Sequence, residues 1–424
     1  MLPVLLISFF VLLVLNVPIA VTMGLSGILA IVSGGVPLIL FGQSAYSMMS
    51  NYSWIAIPFF VVTGEVMGKG GLSQRLIRFS NALVGHFTGG LALSTVVGGV
   101  IFAGVSGSCA ADTAAIGAVV MPAMKREGYK VGFTSALVAA AGALGPIIPP
   151  SITMIIYGSL AQLSIGKLFL AGAIPGVTMG LGFMVIAYFY SKRHGHLGVK
   201  RATLKEVGRI FLDSLPALLA PAIILGGIFS GYFTATESGI IAASYSILVG
   251  MFVYKQITLR DLKKILFDSA LTTSIVMLII GASGLFARLL VTEHVSSGAV
   301  NLMSSITQSK AVLITLVIIF ILFIGCFVEI AAATVIFSPV LYPLAAQFHF
   351  DPIHFGAVVC VALVIGMVTP PVGSALFVAT AVAKGSYRET SYHVLPFCGV
   401  MIVVLLIMAY FPPFTTFLPT FFLK

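Results

Sequence analysis

The chain has 424 residues, of which 59% are hydrophobic and only 8% are charged. Soluble domains average about 25% charged residues, so this chain could not cover the surface of a water-soluble fold and is instead typical of a polytopic membrane protein. The formal net charge of +10 lies mostly in short loops, where it signals orientation, and no basic and aromatic cluster suited to nucleic acid is present.

The apolar runs predict membrane-spanning helices, because they do not alternate with polar residues as the strands of a membrane barrel do. They lie in segments long enough for spans of roughly 20 residues. The four cysteines have apolar neighbours and no C-x-x-C spacing, so we interpret them as buried small hydrophobes. The expected fold class is therefore an all-α polytopic membrane protein embedded in a lipid bilayer.

The first half contains several breaks within apolar sequence, and basic loops mark its cytoplasmic side. Its predicted elements are spans at 3–32, 36–50 and 53–68, an amphipathic surface stretch at 72–84, a re-entrant hairpin at 91–121, a span at 131–157 broken at 145–150, and a span at 168–190. The hairpin follows from its two basic flanks and its Gly/Ser-rich tip, Ser106–Ser108. Such a tip is tolerated at membrane depth only when it is buried in protein or lines a wet cavity.

The second half begins with a long charged loop at 191–213, which separates the two halves. Its predicted elements are a surface helix at 204–212, spans at 211–229, 237–254 and 268–290, a hairpin at 311–345 with its tip near 325–329, a span at 353–382 broken at 366–371, and a final span ending at 411–413. This order places both termini of the chain outside the cytoplasm.

One shift relates the two hairpins and the two broken spans. A separation of 221 residues joins Gly104 to Gly325, Pro122 to Pro343, and Gly145 to Gly366. The flanks of the two hairpins differ in basic charge, which predicts that the hairpins enter from opposite sides. We therefore expect an inverted repeat, in which each half has three spans, a re-entrant hairpin and a broken helix, and such repeats indicate a transporter binding site.

The breaks also predict ligand chemistry. Carbonyls freed by proline, together with Ser and Thr hydroxyls, are oxygen ligands that suit Na⁺, whereas half-helix N-termini suit an anionic group. At least two Na⁺ ions are expected. The residues for the first site are Ser106, Ser108, Gly145, Ile148 and Pro149, and those for the second are Gly325, Gly366, Met367 and Thr369. The alternative is that Gly and Pro merely permit close helix packing and kinks.

Carboxylates inside a membrane are costly and are often functional. Asp112 and Glu329 follow the two tips, where each either neutralises a cation or pins the tip by hydrogen bonds. The candidate substrate-binding residues are Ser106, Ser108, Asp112, Pro150, Glu329 and Thr369. The roles of Glu65, Glu237 and Arg288 stay open at this stage. Capping is the simpler reading of Glu237, and pairing with Glu293 is the simpler reading of Arg288.

Four segments resemble one known family. They are GVSGSCAADTAAIG from Gly104, GPIIPPS from Gly145, GYFTATES from Gly231 and VTPPVG from Val368. The chain is similar over essentially its whole length to the large membrane subunit of tripartite ATP-independent periplasmic (TRAP) transporters. The resemblance implies Na⁺-coupled import of an organic anion, such as sialic acid or a C4-dicarboxylate, across the bacterial inner membrane.

The resemblance also implies partners and a mechanism. A periplasmic binding protein delivers the substrate, and a small four-helix membrane subunit assists; no extra N-terminal spans are present, so that subunit is expected on a separate chain. In the implied elevator mechanism, hairpins and broken helices move against a scaffold. The expected division is scaffold at 1–85, 158–310 and 386–424, and transport domain at 86–157 and 311–385.

Two other classes of function compete with a transporter. An intramembrane hydrolase would use Ser106 or Ser108, but the segment lacks a G-x-S-x-G elbow and no intramembrane histidine is placed to act as its base. A passive channel would leave two inverted sites with closed hairpins without a purpose. We therefore expect a transporter and not an enzyme, and the particular carboxylate is left open.

Overall fold

The computed structural model describes residues 1–423, and these form helices with no strand among them. In the first half the helices are α1 (Leu2–Val14), α2 (Ile19–Ser33), α3 (Ile39–Met49), α4 (Ala56–Lys69), α5 (Leu72–Val84), α6 (Gly90–Ser106), α7 (Cys109–Arg126), α8 (Val131–Ala143), α9 (Ile152–Leu160) and α10 (Ile165–His194). In the second half they are α11 (Leu204–Phe229), α12 (Ala235–Leu248), α13 (Leu259–Thr292), α14 (Val295–Ile306), α15 (Lys310–Phe327), α16 (Ile330–Gln347), α17 (Pro352–Val368), α18 (Ser374–Ala383), α19 (Tyr387–Tyr410) and α20 (Pro413–Phe422).

Seven of the described helices are long and apolar enough to cross a membrane, or eight if the bent pair Tyr52–Lys69 and Leu72–Val84 counts as one span. Shorter apolar helices account for much of the remaining chain, and they belong largely to the hairpins and broken spans. The all-helical membrane fold predicted from composition is confirmed. All four cysteines are buried and unpaired, as expected.

The helix breaks predicted for both hairpins and both broken spans are present. In the first half, α6 and α7 are separated by two residues, and α8 and α9 flank the proline-rich break at 144–151. In the second half, α15 and α16 are likewise separated by two residues, and α17 and α18 flank a break at 369–373. Proline removes a backbone donor and clashes with the preceding turn, which explains why the helices stop there.

The first predicted span, 3–32, is wrong. The chain turns between α1 and α2, where Asn16 adopts a positive φ of 59° ahead of Pro18. The two helices pack against each other, and the Met1 side chain lies against Gly34 at the far end of α2, so they run antiparallel. The sequence is uniformly apolar on both sides of the turn. An apolar composition indicates that a segment lies in the bilayer, but it does not indicate where the chain reverses direction.

The separate surface helix predicted at 204–212 is also wrong. A capping box formed by Thr203 and Glu206 starts one continuous helix, α11, which runs through that segment to Phe229. Two short helices, α14 and α20, occupy segments for which the sequence predicted none. The amphipathic stretch at 72–84 is confirmed as α5, which buries Leu72 and Leu76 on one face.

The hairpins and broken helices pack together at the centre of the molecule. α7 lies on α8, α15 lies on α17, and α17 also contacts α8 and α9. Nearly every residue of α17 is buried. Outside this group, α4 packs on α12, and α13 packs on α2, α3 and α4. This arrangement brings both hairpin tips next to α4 and α13, where the central cavity lies.

Candidate functional site

The tip of the first hairpin reverses the chain within two residues. Gly107 has a positive φ of 64°, which suits glycine, and Ser108 is the extended N-cap residue of α7. The Ser108 amide donates to Ser106 Oγ at 3.1 Å, and Ser108 Oγ accepts from the Ala111 amide at 3.5 Å. The two serines predicted as ligands therefore also shape the turn.

This tip docks against the break between α8 and α9. The Ile152 amide donates to the Gly107 carbonyl at 3.5 Å. A Cβ atom added to Gly107 would stand 2.7 Å from the Pro150 carbonyl oxygen, so a side chain there would push the tip away from the break. Ser151 donates to the Pro146 carbonyl at 2.6 Å and caps α9 by accepting from the Met154 amide.

The break leaves backbone oxygens free. Within residues 1–423, the carbonyls of Gly145, Ile148 and Pro149 accept no hydrogen bond, and all three residues are buried. Buried carbonyls normally have partners, so free ones are candidate ligands for a cation. These are the three break residues that the sequence predicted for the first Na⁺ site.

Asp112 lies beneath the first tip and is fully buried. One carboxylate oxygen, Oδ1, accepts a hydrogen bond from the Ser106 hydroxyl. The other, Oδ2, has no hydrogen-bond partner and lies against Gly145, where a Cβ atom would overlap it. The structure therefore brings Ser106, Asp112 and Gly145 together, with one carboxylate oxygen free beside the break.

The second hairpin tip is built differently. Val328 and Glu329 are extended between α15 and α16, and Glu329 Oε2 accepts from the amides of Ala331 at 2.9 Å and Ala332 at 3.2 Å. Glu329 therefore caps its own helix, one of the two roles left open for it. Gly325 does not lie at the tip; it lies within α15, about one turn earlier.

Gly325 and Gly366 form the contact between the second hairpin and its broken helix. A Cβ atom on Gly366 would stand 2.5 Å from the Gly325 carbonyl carbon, and the Gly373 amide donates to the Cys326 carbonyl at 3.2 Å. In the described chain the carbonyls of Gly325, Met367 and Thr369 accept no hydrogen bond, whereas that of Gly366 accepts from the Thr369 amide. The Thr369 hydroxyl donates to the Ile365 carbonyl at 2.7 Å.

A cavity of about 430 Å³ separates the two tips from α4 and α13. Of the predicted site residues, it is lined by Ser106, Ser108, Glu329 and Met367. Those that lie behind its wall and do not line it are Asp112, Gly145, Ile148, Pro149, Pro150, Gly325, Gly366 and Thr369. Both hairpins therefore reach one cavity, and of the predicted residues with free carbonyls only Met367 lines it.

Sequence reasoning missed several lining residues. Thr153 and Thr272 line the cavity, and a lone threonine in an apolar helix carries no recognisable signal. Glu65, whose role was open, also lines it and lies 2.9 Å from Lys69 Nζ, which in turn lies 2.8 Å from Asp268. Glu65 could have been predicted from the sequence as a site residue, because a carboxylate inside an apolar span is energetically costly and is often functional.

The other two open residues lie elsewhere. Glu237 forms a capping box with Thr234 at the start of α12, which confirms the simpler reading. The expected pairing of Arg288 with Glu293 is wrong, because Glu293 Oε2 accepts from the Leu2 amide at 3.0 Å and lies 3.6 Å from the amino nitrogen of Met1. The antiparallel turn between α1 and α2, which the sequence did not reveal, brings Leu2 to that position.

Comparison with solved structures supports the fold. The transporter YdaH of Alcanivorax borkumensis, whose crystal structure has an unusual topology, superposes with a TM-score of 0.66 over 89% of each chain at 12% sequence identity. At that identity the likeness extends to the fold alone.

Comparison of sequences identifies the family. The profile of the DctM component of the tripartite ATP-independent periplasmic transporter matches residues 6–414. The chain is 39% identical over 418 residues to the isethionate TRAP transporter permease protein DctMQ of Oleidesulfovibrio alaskensis, covering 98% of this chain and 66% of that one. It is 38% identical to the C4-dicarboxylate TRAP transporter large permease protein DctM of Pseudomonas aeruginosa, covering 91% and 92%, and 35% identical to the sialic acid TRAP transporter large permease protein SiaM of Vibrio cholerae, covering 90% and 89%. The chain therefore belongs to the DctM family of TRAP transporter large permease subunits.

Proposed function

We propose that this subunit imports an organic anion across the bacterial inner membrane together with Na⁺. The observation that carries the proposal is the pairing of a central cavity with free oxygen ligands directly behind it. Asp112 Oδ2 and the carbonyls of Gly145, Ile148 and Pro149 have no partners within residues 1–423. Such a set of hard oxygens, with one carboxylate, suits a monovalent cation.

The charge of the cavity supports coupling between the two ions. Glu65 and Glu329 both line it, and Lys69, which pairs with Glu65, is shared with Asp268. An anion entering such a cavity meets repulsion unless cations bind with it. The amide N–H groups at the start of α7 can meet the anion, because a helix N-terminus carries partial positive charge. Cation binding would thus be a condition for anion binding.

The substrate class rests on chemistry and on relatives. The names of three similar permeases mention isethionate, C4-dicarboxylate and sialic acid, each of which is an organic acid anion. We infer the same class here, a carboxylate or sulfonate small enough for a cavity of about 430 Å³. A periplasmic binding protein and a small four-helix membrane subunit complete the proposed assembly, with both termini of this chain in the periplasm.

An elevator movement fits the way the helices are divided. The hairpins and broken helices (α6–α9 and α15–α18) form the proposed transport domain, and α4 and α13 face it across the cavity as part of the scaffold. The inverted repeat is supported by the helix bounds, since Cys109–Arg126 and Ile330–Gln347 are separated by 221 residues at both ends. Two matched hairpins give the moving domain one opening toward each side of the membrane.

Uptake in proteoliposomes tests the proposal. The chain is reconstituted with the small subunit and the binding protein, and labelled isethionate, succinate and sialic acid are supplied outside under an inward Na⁺ gradient. We expect accumulation of one of them above its outside concentration, and no accumulation when K⁺ replaces Na⁺. Equal uptake in K⁺, or uptake that stops at equilibrium, would instead indicate a uniporter or a channel.

A further inference from the structure

A second cavity, of about 330 Å³, is lined in part by helices that also line the central cavity. The same three structural units form walls of both. Along α13, Thr272 to Ile279 line the central cavity, whereas Gly284 and Arg288 line the second. Ile279 and Arg288 are nine residues apart, about 13 Å along a helix. We call this second space the outer vestibule, since the predicted orientation places it toward the periplasm.

The other two walls, like α13, line first the central cavity and then the outer vestibule. On α9, Ile152 and Ile156 line the central cavity, and Ser159 lines the outer vestibule. At the start of α4, Phe60 lines the central cavity, and Trp54, in the 3₁₀ turn that precedes the helix, lines the vestibule. The two cavities therefore follow one another along a single interface between scaffold and transport domain.

The charged side chains that line the two cavities have opposite signs. Glu65 and Glu329 line the central cavity, whereas no carboxylate of the described chain lines the vestibule. Arg288 is its only lysine or arginine among residues 1–423, and within that range it forms no hydrogen bond or ion pair. The nearest acidic residue along the chain, Glu293, is bonded to the Leu2 amide. The guanidinium is exposed and free to meet an anion.

Two buried serines that line the same space have hydroxyls without hydrogen-bond partners in residues 1–423. Ser44 on α3 and Ser159 on α9 are each only 6% exposed, both line the vestibule, and neither Oγ has a hydrogen-bond partner in residues 1–423. Most serines inside helices donate to a carbonyl of the preceding turn, as Ser80 does at 2.8 Å. Of the buried serines without a partner in residues 1–423, Ser44 and Ser159 are the two that line the vestibule, where each can donate to an acceptor that enters it.

We propose that the outer vestibule is an anion-binding subsite, in which the Arg288 guanidinium and the hydroxyls of Ser44 and Ser159 hold the carboxylate or sulfonate of the substrate before it reaches the hairpin tips. The inference rests on the proposed import of an organic anion and adds a binding step to it. A guanidinium matches the planar oxygens of such groups, and one unbalanced positive charge in a low-dielectric cleft raises the local concentration of anions. The vestibule attracts the anion, and the central cavity then admits it only with cations.

Protection of an engineered cysteine tests this subsite apart from transport. Ser47 is exposed and lines the vestibule, so S47C should react with a membrane-impermeant maleimide, while the four native cysteines are buried. The variant is reconstituted in phosphatidylcholine liposomes without Na⁺. We expect succinate or isethionate to slow labelling and neutral succinamide to leave it unchanged. In S47C/R288Q the anion concentration for half-protection should rise by roughly tenfold to a hundredfold.

Lys310→Gln serves as the matched control, because it removes one exposed positive charge that lies outside the vestibule and should leave protection unchanged. Equal protection in S47C and S47C/R288Q, or equal protection by succinamide, overturns the inference. If labelling is slow only when the bilayer contains phosphatidylglycerol, whatever solute is present, the site binds a lipid phosphate. That result also overturns the inference of a substrate subsite. The labelling assay uses no Na⁺ gradient, so it is independent of transport. If uptake fails in proteoliposomes but anions still protect S47C from labelling, the proposed transport is wrong and the anion-binding subsite is retained.

Discussion

Asp112 and Glu329 are not equivalent residues of the repeat. The residue 221 positions before Glu329 is Ser108, and both cap the second helix of their hairpins. The counterpart of Asp112 is Ala333, which carries no charge. One hairpin therefore holds a buried carboxylate inside the tip, and the other places its carboxylate at the cavity. This asymmetry gives the first hairpin the stronger candidate cation site.

Replacing Asp112 by Asn tests that assignment. The amide oxygen can still accept from the Ser106 hydroxyl, so the tip should keep its shape while the site loses its one negative charge. We expect the Na⁺ concentration for half-maximal uptake to rise at least about tenfold, the equivalent of roughly 1.4 kcal/mol of cation binding. Uptake of labelled substrate against Na⁺ concentration measures the change.

Asp261→Asn is the matched control, because Asp261 is an exposed residue of the first turn of α13 that bonds only Thr258. Its Na⁺ dependence should equal that of the unmodified protein. An unchanged Na⁺ dependence in Asp112→Asn would remove the carboxylate from the cation site and leave it as a structural pin of the first tip.

At the scale of helices, the two hairpins are held to their broken helices by backbone packing. Gly107 meets Pro150 in the first half, and Gly325 meets Gly366 in the second. Glycine occupies three of these four positions, Gly107, Gly325 and Gly366, where the main chains themselves are in contact. Close backbone approach of this kind places carbonyls of both elements near one another, which is the arrangement a cation site made of carbonyls requires.

Gly366→Ala should therefore loosen the second hairpin. The new Cβ atom would stand 2.5 Å from the Gly325 carbonyl carbon, and backbone cannot rotate away as a side chain can. We expect a loss of roughly 1–3 kcal/mol in stability, as is usual for overpacking, together with a large loss of uptake. Thermal unfolding of the purified protein and uptake by proteoliposomes check the two parts.

The control is Gly226→Ala on α11, where an added Cβ atom meets nothing within 4 Å. That variant should match or slightly exceed the parent in stability, since alanine favours helices over glycine. If both variants behave alike, the contact between Gly325 and Gly366 has no special role.

At the scale of the whole molecule, the central cavity lies where the proposed moving and fixed parts face each other. Ala110 belongs to α7 in the proposed transport domain, Thr272 belongs to α13 in the proposed scaffold, and both line the cavity. An elevator movement must change the distance between them. A fixed link between the two should stop transport without altering either domain.

A double variant, Ala110→Cys and Thr272→Cys, tests this movement in a Cys109→Ser background, because Cys109 also lines the cavity. Cross-linking with a short bifunctional methanethiosulfonate should abolish uptake, and reduction should restore it. Each single cysteine variant, treated identically, should keep its uptake. Full activity of the cross-linked protein would exclude movement of α7 relative to α13 during transport.

Much of the fold could be predicted because the repeat carries local signals. Glycine at the first tip and the paired prolines at both breaks coincide with helix ends, whereas single prolines such as Pro122 and Pro343 lie inside helices. The helix α5 matches its amphipathic period. The antiparallel turn between α1 and α2 could not be located with the same ease, because every residue near it is apolar except Asn16. An apolar composition shows that a segment contacts lipid. One long helix and two short antiparallel helices make the same kind of lipid contact, so composition does not distinguish them.

The residues of the first candidate site were predictable as oxygen donors, because serines, an aspartate and a proline-broken helix all lie within the first of the two segments that the shift of 221 residues relates. Which of them line the cavity depends on packing between helices far apart in the chain. Ser106 and Ser108 reach the cavity, whereas Asp112 lies behind its wall. Arg288 joins Ser44 and Ser159 around the outer vestibule only because α3, α9 and α13 meet there. Backbone breaks are local properties of the chain, but the partners of a side chain are set by the long-range contacts that bury it.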